Sequence, residues 1–420
     1  MRNQQESRSC KDAEGVRFTD QPVKTRRVVV TAAGIISPLG SGLAETLQSL
    51  RLARNCVTPV RRFSVERCRC KTAGQIGDEA LANCAQSRAG QRLHRASRMM
   101  IAALGEALGQ DPEFDPEMAI IGTTSGGMSF GEDYYRALYG DGNLRPTPAW
   151  IANYPPQKPA IDALQTFGLT APCQVIANAC ASGTNAIGHA FQCIRSGRYE
   201  RLLTGGFDAL SELVFVGFDS LQAATPEKCR PFDRERSGMV LGEGAAILAL
   251  EELEAARQRG ARVLAEITGY GISTDNHHLT QPEPSGAGPR AAMEDALQSA
   301  NIRPDAIDYI NAHGTATPFN DAAEGKAIAE LFGTGAAVSS TKAMMGHSLG
   351  AAGAIEAVIC ILALQRGFMP ANLNFRSPDE GMELDIVENE PRMKPFRRAL
   401  SNSFGFGGTN ASIVLEKAAA

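Results

Sequence analysis

The chain is poor in the residues that crowd many functional surfaces: six His and one Trp in 420 residues, with Phe, Trp and Tyr together only 6%. It also lacks an excess of either charge. Its 42 Lys and Arg face 46 Asp and Glu, a net charge of −4, which argues against general nucleic-acid binding and leaves any charged partner to a local patch. No run reaches the roughly 18 apolar residues needed to cross a bilayer, so no membrane insertion is expected. The first 26 residues, MRNQQESRSCKDAEGVRFTDQPVKTR, hold no apolar stretch of the secretory kind, and their acidic residues speak against a transit peptide. They read as a flexible tail. The ten cysteines have no paired spacing, and Cys68 and Cys70 in CRC lack a second pair to complete a zinc set. A reduced, cytoplasmic protein with no metal is expected. No short repeat with a period of about 20–50 residues appears, which excludes a solenoid.

What is present is an ordinary globular composition, 43% hydrophobic and 21% charged, long enough for a sizeable core. A β-branched run, RVVVTAAGIISPLG, opens the ordered part and ends in turn residues. Strand-like segments recur at MAIIGTT, CQVIANA, RLLTGGF, AAILALE, LAEITGYG, AIDYINAH, AAVSS and ASIVLE, with helical stretches between many of them. That alternation predicts an α/β fold with buried sheets. CQVIANACASGTNAIGHAFQCI reads as strand, small-residue turn and Ala/Gly-rich helix, and AAVSSTKAMMGHSLGAAGAIEAVICIL repeats the plan. Two similar halves account for the echo, residues 27–261 and 262–420, with the division at the end of EELEAARQRGAR.

Cys180 sits among Ala, Ser and Gly in IANACASGTNAIG, where a packing cysteine would be flanked by larger apolar residues. If a helix begins at Ala181–Ser182, the sulfur lies at its positive end beside unpaired N–H groups. That placement favours thiolate and predicts a pKa below the free value of about 8.5. The same N–H groups suit an oxyanion. Alone, Cys180 reads more readily as a buried structural thiol than as a catalytic one. His313 in NAHGTATPFND and His347 in SSTKAMMGHSLGAAGA each follow a strand-like run at a Gly-rich turn, and Lys342 precedes His347 by five residues. Strand ends of α/β sheets are where ligands bind, and neutral His can donate a hydrogen bond or move a proton. In SNSFGFGGTNAS, Gly405, Gly407 and Gly408 allow a bent backbone while Phe404 and Phe406 carry bulk through it. The plain alternative there is a tight turn before the last strand.

Taken in order, NACASGTNAIG, HGTATPFND, STKAMMGHSLGAAGAIE and SNSFGFGGTNAS resemble the elongating β-ketoacyl-acyl-carrier-protein synthases, type II above all, and the related type II polyketide ketosynthases. The resemblance runs from about Arg27 to the C-terminus. It implies the thiolase fold, an α/β architecture of two similar halves in a five-layered α-β-α-β-α core, as a homodimer or as a heterodimer with a related subunit. It implies Cys180 as the nucleophile that takes an acyl chain from acyl carrier protein. His313 and His347 then support decarboxylation of malonyl-carrier, giving a 3-oxoacyl product in fatty-acid elongation without a cofactor. Lys342 would order the site with Asp321, Glu324 and Glu356 as its charged network. The N–H groups of Cys180 and Phe406 would form the oxyanion hole, with Phe406 as gate. Thr315, Thr317 and Thr280, with Phe404, would line the substrate channel.

The resemblance also makes the run QRLHRASR a carrier-docking helix, with Arg98 and Arg95 as docking cations; a solvated charged face is the plainer reading. Two departures stand out. GTTSGGM puts Ser125 where the family carries an apolar residue at the acyl pocket, and PAWIANYPPQKPAID differs from the family's pocket-lining segment. Both leave open a ketosynthase of a specialised polyketide or polyene pathway. A chain-length-factor-like structural subunit is the non-catalytic alternative, but such subunits lack the nucleophilic cysteine. A degradative thiolase would need a second cysteine where SFGFGG stands, and a Cys-His-Asn starter synthase would need Asn at position 347. A Cys-His hydrolase would leave the second histidine and the GFGG turn unexplained.

Overall fold

The computed structural model describes residues 25–82, 93–140, 148–379 and 381–418, with residues 148–150 described by backbone alone. The expected tail up to residue 24, and Arg92 of the basic run, lie outside the described residues. The first half contributes β1 (Val28–Ser37), β2 (Met118–Gly122), β3 (Cys173–Ile176), β4 (Arg201–Asp208) and β5 (Gly244–Glu252). The second contributes β6 (Ala265–Thr274), β7 (Tyr309–Asn311), β8 (Ala337–Ser339), β9 (Asp385–Ile386), β10 (Arg398–Gly405) and β11 (Thr409–Lys417). The helices that matter here are α1 (Arg95–Gln110), α2 (Met128–Tyr139), α3 (Lys158–Thr166), α4 (Ser182–Arg195), α5 (Glu212–Ser220), α6 (Ala287–Ala300), α7 (Pro318–Phe332) and α8 (Ala352–Arg366).

The strands pair in the order β9-β8-β7-β10-β11-β6-β1-β5-β4-β2-β3. Counted within each half, both sheets read third, second, fourth, fifth, first, with β9 added at the outer edge of the second. The directions repeat as well: β2 is parallel to β3 and β4, β7 is parallel to β8 and β10, and the fifth strand of each half is antiparallel to its neighbours. The halves meet where Val28–Val30 of β1 pairs antiparallel with Ala265–Ile267 of β6.

Alternation along the strands sets the layers, because successive side chains of a strand point to opposite faces. Ala246, Leu248 and Leu250 of β5 face an inner core, while Ala245, Ile247 and Ala249 face an outer one. In β1, Val28 and Val30 point inward, but beyond a register shift between Val30 and Ala32 the inward residues become Ala33 and Ile35. One extra residue in the strand has changed the parity, as a bulge must. The inner core holds α4 and α8 between the two sheets. Helices α1 and α3 cover the outer face of the first sheet, and α6 and α7 that of the second. The result is the expected α-β-α-β-α sandwich of two like halves.

Two local expectations change. Residues Leu349–Arg366 do reach the length and hydropathy of a membrane span, yet 89% of that stretch is buried inside the protein. It is apolar all round because both sheets pack on it, and it carries the buried Glu356. The segment before the GFGG turn is the eight-residue strand β10, not simply a turn. Its Ser-Asn-Ser run reads as loop in sequence, but Ser403 Oγ lies 2.7 Å from Thr184 Oγ1 and Ser412 Oγ donates to Asn402 Oδ1 at 2.8 Å. Ser403 and Asn402 are buried with partners, while Ser401 Oγ has none among the described residues.

Candidate active site

Cys180 lies between β3 and α4, whose N-cap is Ala181, so the helix starts where the small-residue run places it. The preceding Ala179 has φ of +56°, a left-handed conformation that an L-residue adopts only when its surroundings hold it there. They do: Thr124 Oγ1 and Ser182 Oγ both donate to the Ala179 carbonyl, at 2.9 and 2.6 Å. This turn aims the thiol into a cavity of about 290 Å³ lined by Cys180, His313, His347, Phe404 and Phe406 together with Thr280, Thr315 and Thr317. The sulfur and one ring nitrogen from each histidine lie within 4.8 Å of one another, and the two rings meet edge to face at 5.2 Å. Gly405 brings the β10–β11 turn against this point. A Cβ there would stand 3.2 Å from the Cys180 nitrogen and 2.8 Å from Thr409 Oγ1, so only glycine allows the approach. Phe406 is half-buried at the cavity wall and leans on Phe218, ring centroids 5.4 Å apart.

The thiol does not behave as its position at a helix start suggested. Burial pushes Cys180 up to about 12, against Lys342 and the backbone N–H groups of Phe406 and Cys180, which favour the anion. Loss of hydration outweighs the helix terminus. The same burial holds His313 and His347 well below the ordinary histidine value, with Lys342 acting in the same direction. Both rings are therefore neutral. The Leu349 N–H donates to His347 Nδ1 at 3.2 Å, which places the ring proton on Nε2. That Nε2 and His313 Nδ1 have no partner among the described residues. Cys, His and His in this proximity resemble a metal set, but the pinned tautomer offers the N–H, not the lone pair, of His347 Nε2 to the site. A metal ligand needs the lone pair, so the donor set does not suit a metal.

Lys342 is buried and its Nζ donates to Glu356 Oε1 at 2.5 Å. The other two acids of the expected network are elsewhere. Glu324 accepts the His313 and Gly314 N–H groups, both at 2.8 Å, and the Asn402 amide at 3.2 Å. Asp321 accepts the Phe232 N–H at 2.7 Å and the Ala316 N–H at 3.1 Å. Ala316 sits at φ of +65°. These carboxylates shape the turn after β7 that carries His313; neither has Lys342 as a hydrogen-bond or ion-pair partner among the described residues. Thr315 and Thr317 face each other, hydroxyl oxygens 2.9 Å apart, and Thr317 caps α7. Thr280 also lines the cavity, its N–H donating to His278 Nδ1 at 3.1 Å.

Ser125 is not among the described residues that line this cavity. Its Oγ donates to Asp208 Oδ1 at 2.7 Å, so its hydroxyl answers a buried carboxylate and does not widen a pocket. Arg95 is not an exposed cation either. Its guanidinium makes two bonds to Glu243, at 2.9 and 2.6 Å, and one to Asp78 at 2.7 Å, with 8% of the side chain exposed. Glu243 lies 148 residues away along the chain, which is why the pairing is invisible in sequence. Arg98 is half-buried and its Nε donates to the Leu93 carbonyl at 3.1 Å. The segment PAWIANYPPQKPAID forms a short 3-10 turn and the start of α3. Its Ile151 and Tyr154 share an apolar groove with Met128, Tyr134, Tyr135 and Leu213. Asp208 and Phe218 are the site-shaping residues that sequence reasoning missed. An acid ending the apolar run RLLTGGF was the available signal for the first.

The sequence matches the profile of the β-ketoacyl synthase N-terminal domain over residues 25–256 and that of the C-terminal domain over residues 264–376. Among curated relatives, 3-oxoacyl-[acyl-carrier-protein] synthase 2 of Synechocystis sp. is 36% identical, covering 94% of this chain and 99% of the relative. The protein of the same name from Coxiella burnetii is 37% identical over the same shares. Among solved structures, the ishigamide ketosynthase/chain length factor superposes with a TM-score of 0.88 at 33% identity, covering 94% of this chain and all of the other. A type II PKS ketosynthase in complex with its acyl-carrier protein gives a TM-score of 0.84 at 28% identity over the same shares.

Proposed function

Because the chain belongs to the β-ketoacyl synthase family, we propose that it joins an acyl group held on Cys180 to the two-carbon unit released from malonyl-carrier, in fatty-acid elongation. It is a β-ketoacyl-acyl-carrier-protein synthase, and acyl carrier protein is its partner. The observation that carries the reading of the site is the unpartnered, buried Nε2–H of His347, within a cluster that also holds the Cys180 sulfur.

The chemistry follows from charge. In the first half-reaction, Cys180 Sγ bonds to the acyl carbonyl carbon as the bond to the carrier sulfur breaks; the thiol proton leaves with the carrier. The N–H groups of Cys180 and Phe406 face the oxygen that becomes negative. In the second, the carbon–carbon bond of the malonyl group breaks, carbon dioxide departs and the electron pair becomes an enolate. His347 Nε2–H donates to its oxygen, joined by His313. The enolate carbon attacks the acyl carbonyl, and Cys180 leaves as thiolate. The product is a 3-oxoacyl-carrier two carbons longer. Neutral histidines suit this role because an N–H that keeps its proton stabilises the developing negative charge as a hydrogen-bond donor. Lys342, paired with Glu356, favours the thiolate that departs.

A second reading, a ketosynthase of a type II polyketide or polyene pathway, is favoured by the departure in the segment that holds Ile151 and Tyr154. Intact-mass analysis of the protein incubated with a panel of acyl-carriers plus malonyl-carrier separates the two by which chain loads and extends. Wild-type protein gains one acyl group, and Cys180→Ala gains none and forms no condensation product. If no chain attaches to the wild type, the synthase reading falls.

We further propose that two copies pair through the open edge of β3 and through the apolar groove, where Tyr135 and Leu213 are 64% and 62% exposed. Of the two cations expected to dock the carrier, Arg98 is the more exposed, half-buried where Arg95 is buried. Eight free cysteines among the described residues and the burial of α8 support a cytoplasmic setting.

A further inference from the structure

Asp208, the last residue of β4, is fully buried and is not used in the chemistry above. Its carboxylate nonetheless takes five hydrogen bonds from two segments that the sheet brings together. Oδ1 accepts from Thr123 Oγ1 at 2.7 Å, the Ser125 N–H at 2.8 Å and Ser125 Oγ at 2.7 Å; Oδ2 accepts from the Thr124 N–H at 2.9 Å and the Gly350 N–H at 2.7 Å. A neutral amide could not replace it, since every one of these partners donates and an amide has only one acceptor atom.

Each segment ends at a reacting group. Thr124, whose N–H is held by Asp208, sends its own hydroxyl to the carbonyl of Ala179, the left-handed residue behind Cys180. Gly350 follows Leu349, which sits at φ of +53° and whose N–H donates to His347 Nδ1. The fit at Gly350 leaves no slack: a Cβ would stand 2.5 Å from the Thr124 nitrogen and 2.8 Å from Asp208 Oδ2. Gly183, one residue into α4, would in turn drive a Cβ to 2.7 Å from the Gly350 carbonyl oxygen. Release of the Gly350 N–H would free the Leu349–Gly350 turn, and with it the N–H that fixes the His347 tautomer.

We infer that Asp208 is a positioning residue that clamps the turn behind Cys180 to the turn after His347, and thereby keeps the His347 proton on Nε2. Thr123 and Ser125 are its hydroxyl partners, which gives Ser125 a reason to be polar. The inference rests on the reading of His347 as hydrogen-bond donor to the enolate.

Two measurements test it separately from that reading. In protein labelled with 15N-histidine, with His347→Asn to assign the signals, wild-type His347 shows the Nε2-protonated tautomer. Asp208→Asn should lose that signature and lower kcat for malonyl-carrier decarboxylation about tenfold or more, with KM little changed, as displacement of a reacting group does. If Asp208→Asn does not fold, the double variant Thr123→Val/Ser125→Ala removes both side-chain donors. It should broaden or split the His347 signals and lower kcat about threefold. Wild-type His347 signals and wild-type kcat in whichever variant folds, with only a lower melting temperature, overturn the inference. Wild-type protein that neither loads acyl groups nor decarboxylates malonyl-carrier overturns the reading of the site, while the tautomer signals still judge the clamp.

Discussion

Glu324 shows how a single buried acid can tie stability to pH. Burial pushes it from 4.5 up to about 7, against the N–H groups of Gly314 and His313 and the Asn402 amide. A folded carboxyl that titrates this high keeps a proton which the unfolded chain gives up. Its contribution to stability is thus fully present below 4.5 and is lost as pH rises through about 7. Glu324→Gln should cost about 1–3 kcal/mol overall, because its amide sets an NH2 against a backbone N–H. It should also flatten the fall of melting temperature between about pH 5 and 8; parallel curves for variant and wild type would refute this. The reactive residues at and near the cavity were legible in sequence because Cys180, His313, Lys342 and His347 are chemically active types set among glycines at strand ends. The fates of Arg95, Asp321, Glu324 and Ser125 were not. A charged or polar side chain is read by default as exposed or reactive, and only the fold reveals that its partner lies on a distant segment.

The strands and helices were largely legible from apolar periodicity, since buried strands and a wholly buried helix are the patterns that sequence displays best. What escaped was β10, whose Ser401, Asn402 and Ser403 pass for a turn until the partners of Asn402 and Ser403 are seen, and the parity change in β1. Helices α4 and α8 cross at glycine contacts that also carry a cost. A Cβ on Gly353 would lie 2.0 Å from Thr184 Oγ1 and 2.8 Å from Ser403 Oγ. Gly353→Ala should therefore destabilise by about 1–3 kcal/mol through overpacking, despite the better helix propensity of alanine. Gly217 of α5 has nothing within 4 Å of a Cβ, and Gly217→Ala should stabilise by about 0.5–1 kcal/mol. Urea midpoints moving in opposite directions for the two variants would bear this out; a rise for Gly353→Ala would show that the helices have room.

At the scale of the whole molecule, the likeness of the halves was visible as an echo, but the strand order was not, because pairing partners are set by packing and not by local pattern. The proposed pairing of two copies belongs here as well. Leu213→Asp puts a charge into the apolar groove next to Tyr135 and Tyr154, and sedimentation should show the dimer shifting toward monomer. A wild-type sedimentation profile for that variant would place the contact elsewhere.

The repeated strand order has a consequence for where chemistry can occur. Cys180 follows the third strand of its half, and Lys342 and His347 follow the third strand of theirs, each before a central helix. His313 follows the second strand of the second half; its counterpart after the second strand of the first half is the Thr123–Ser125 turn, plugged by Asp208. The architecture thus offers corresponding corners in its two halves. One is hollow and reactive; the other is filled with hydroxyls around a carboxylate and serves as its abutment. Redesign of this protein for a new acyl group has freedom at the hollow corner only so long as the filled one stays filled.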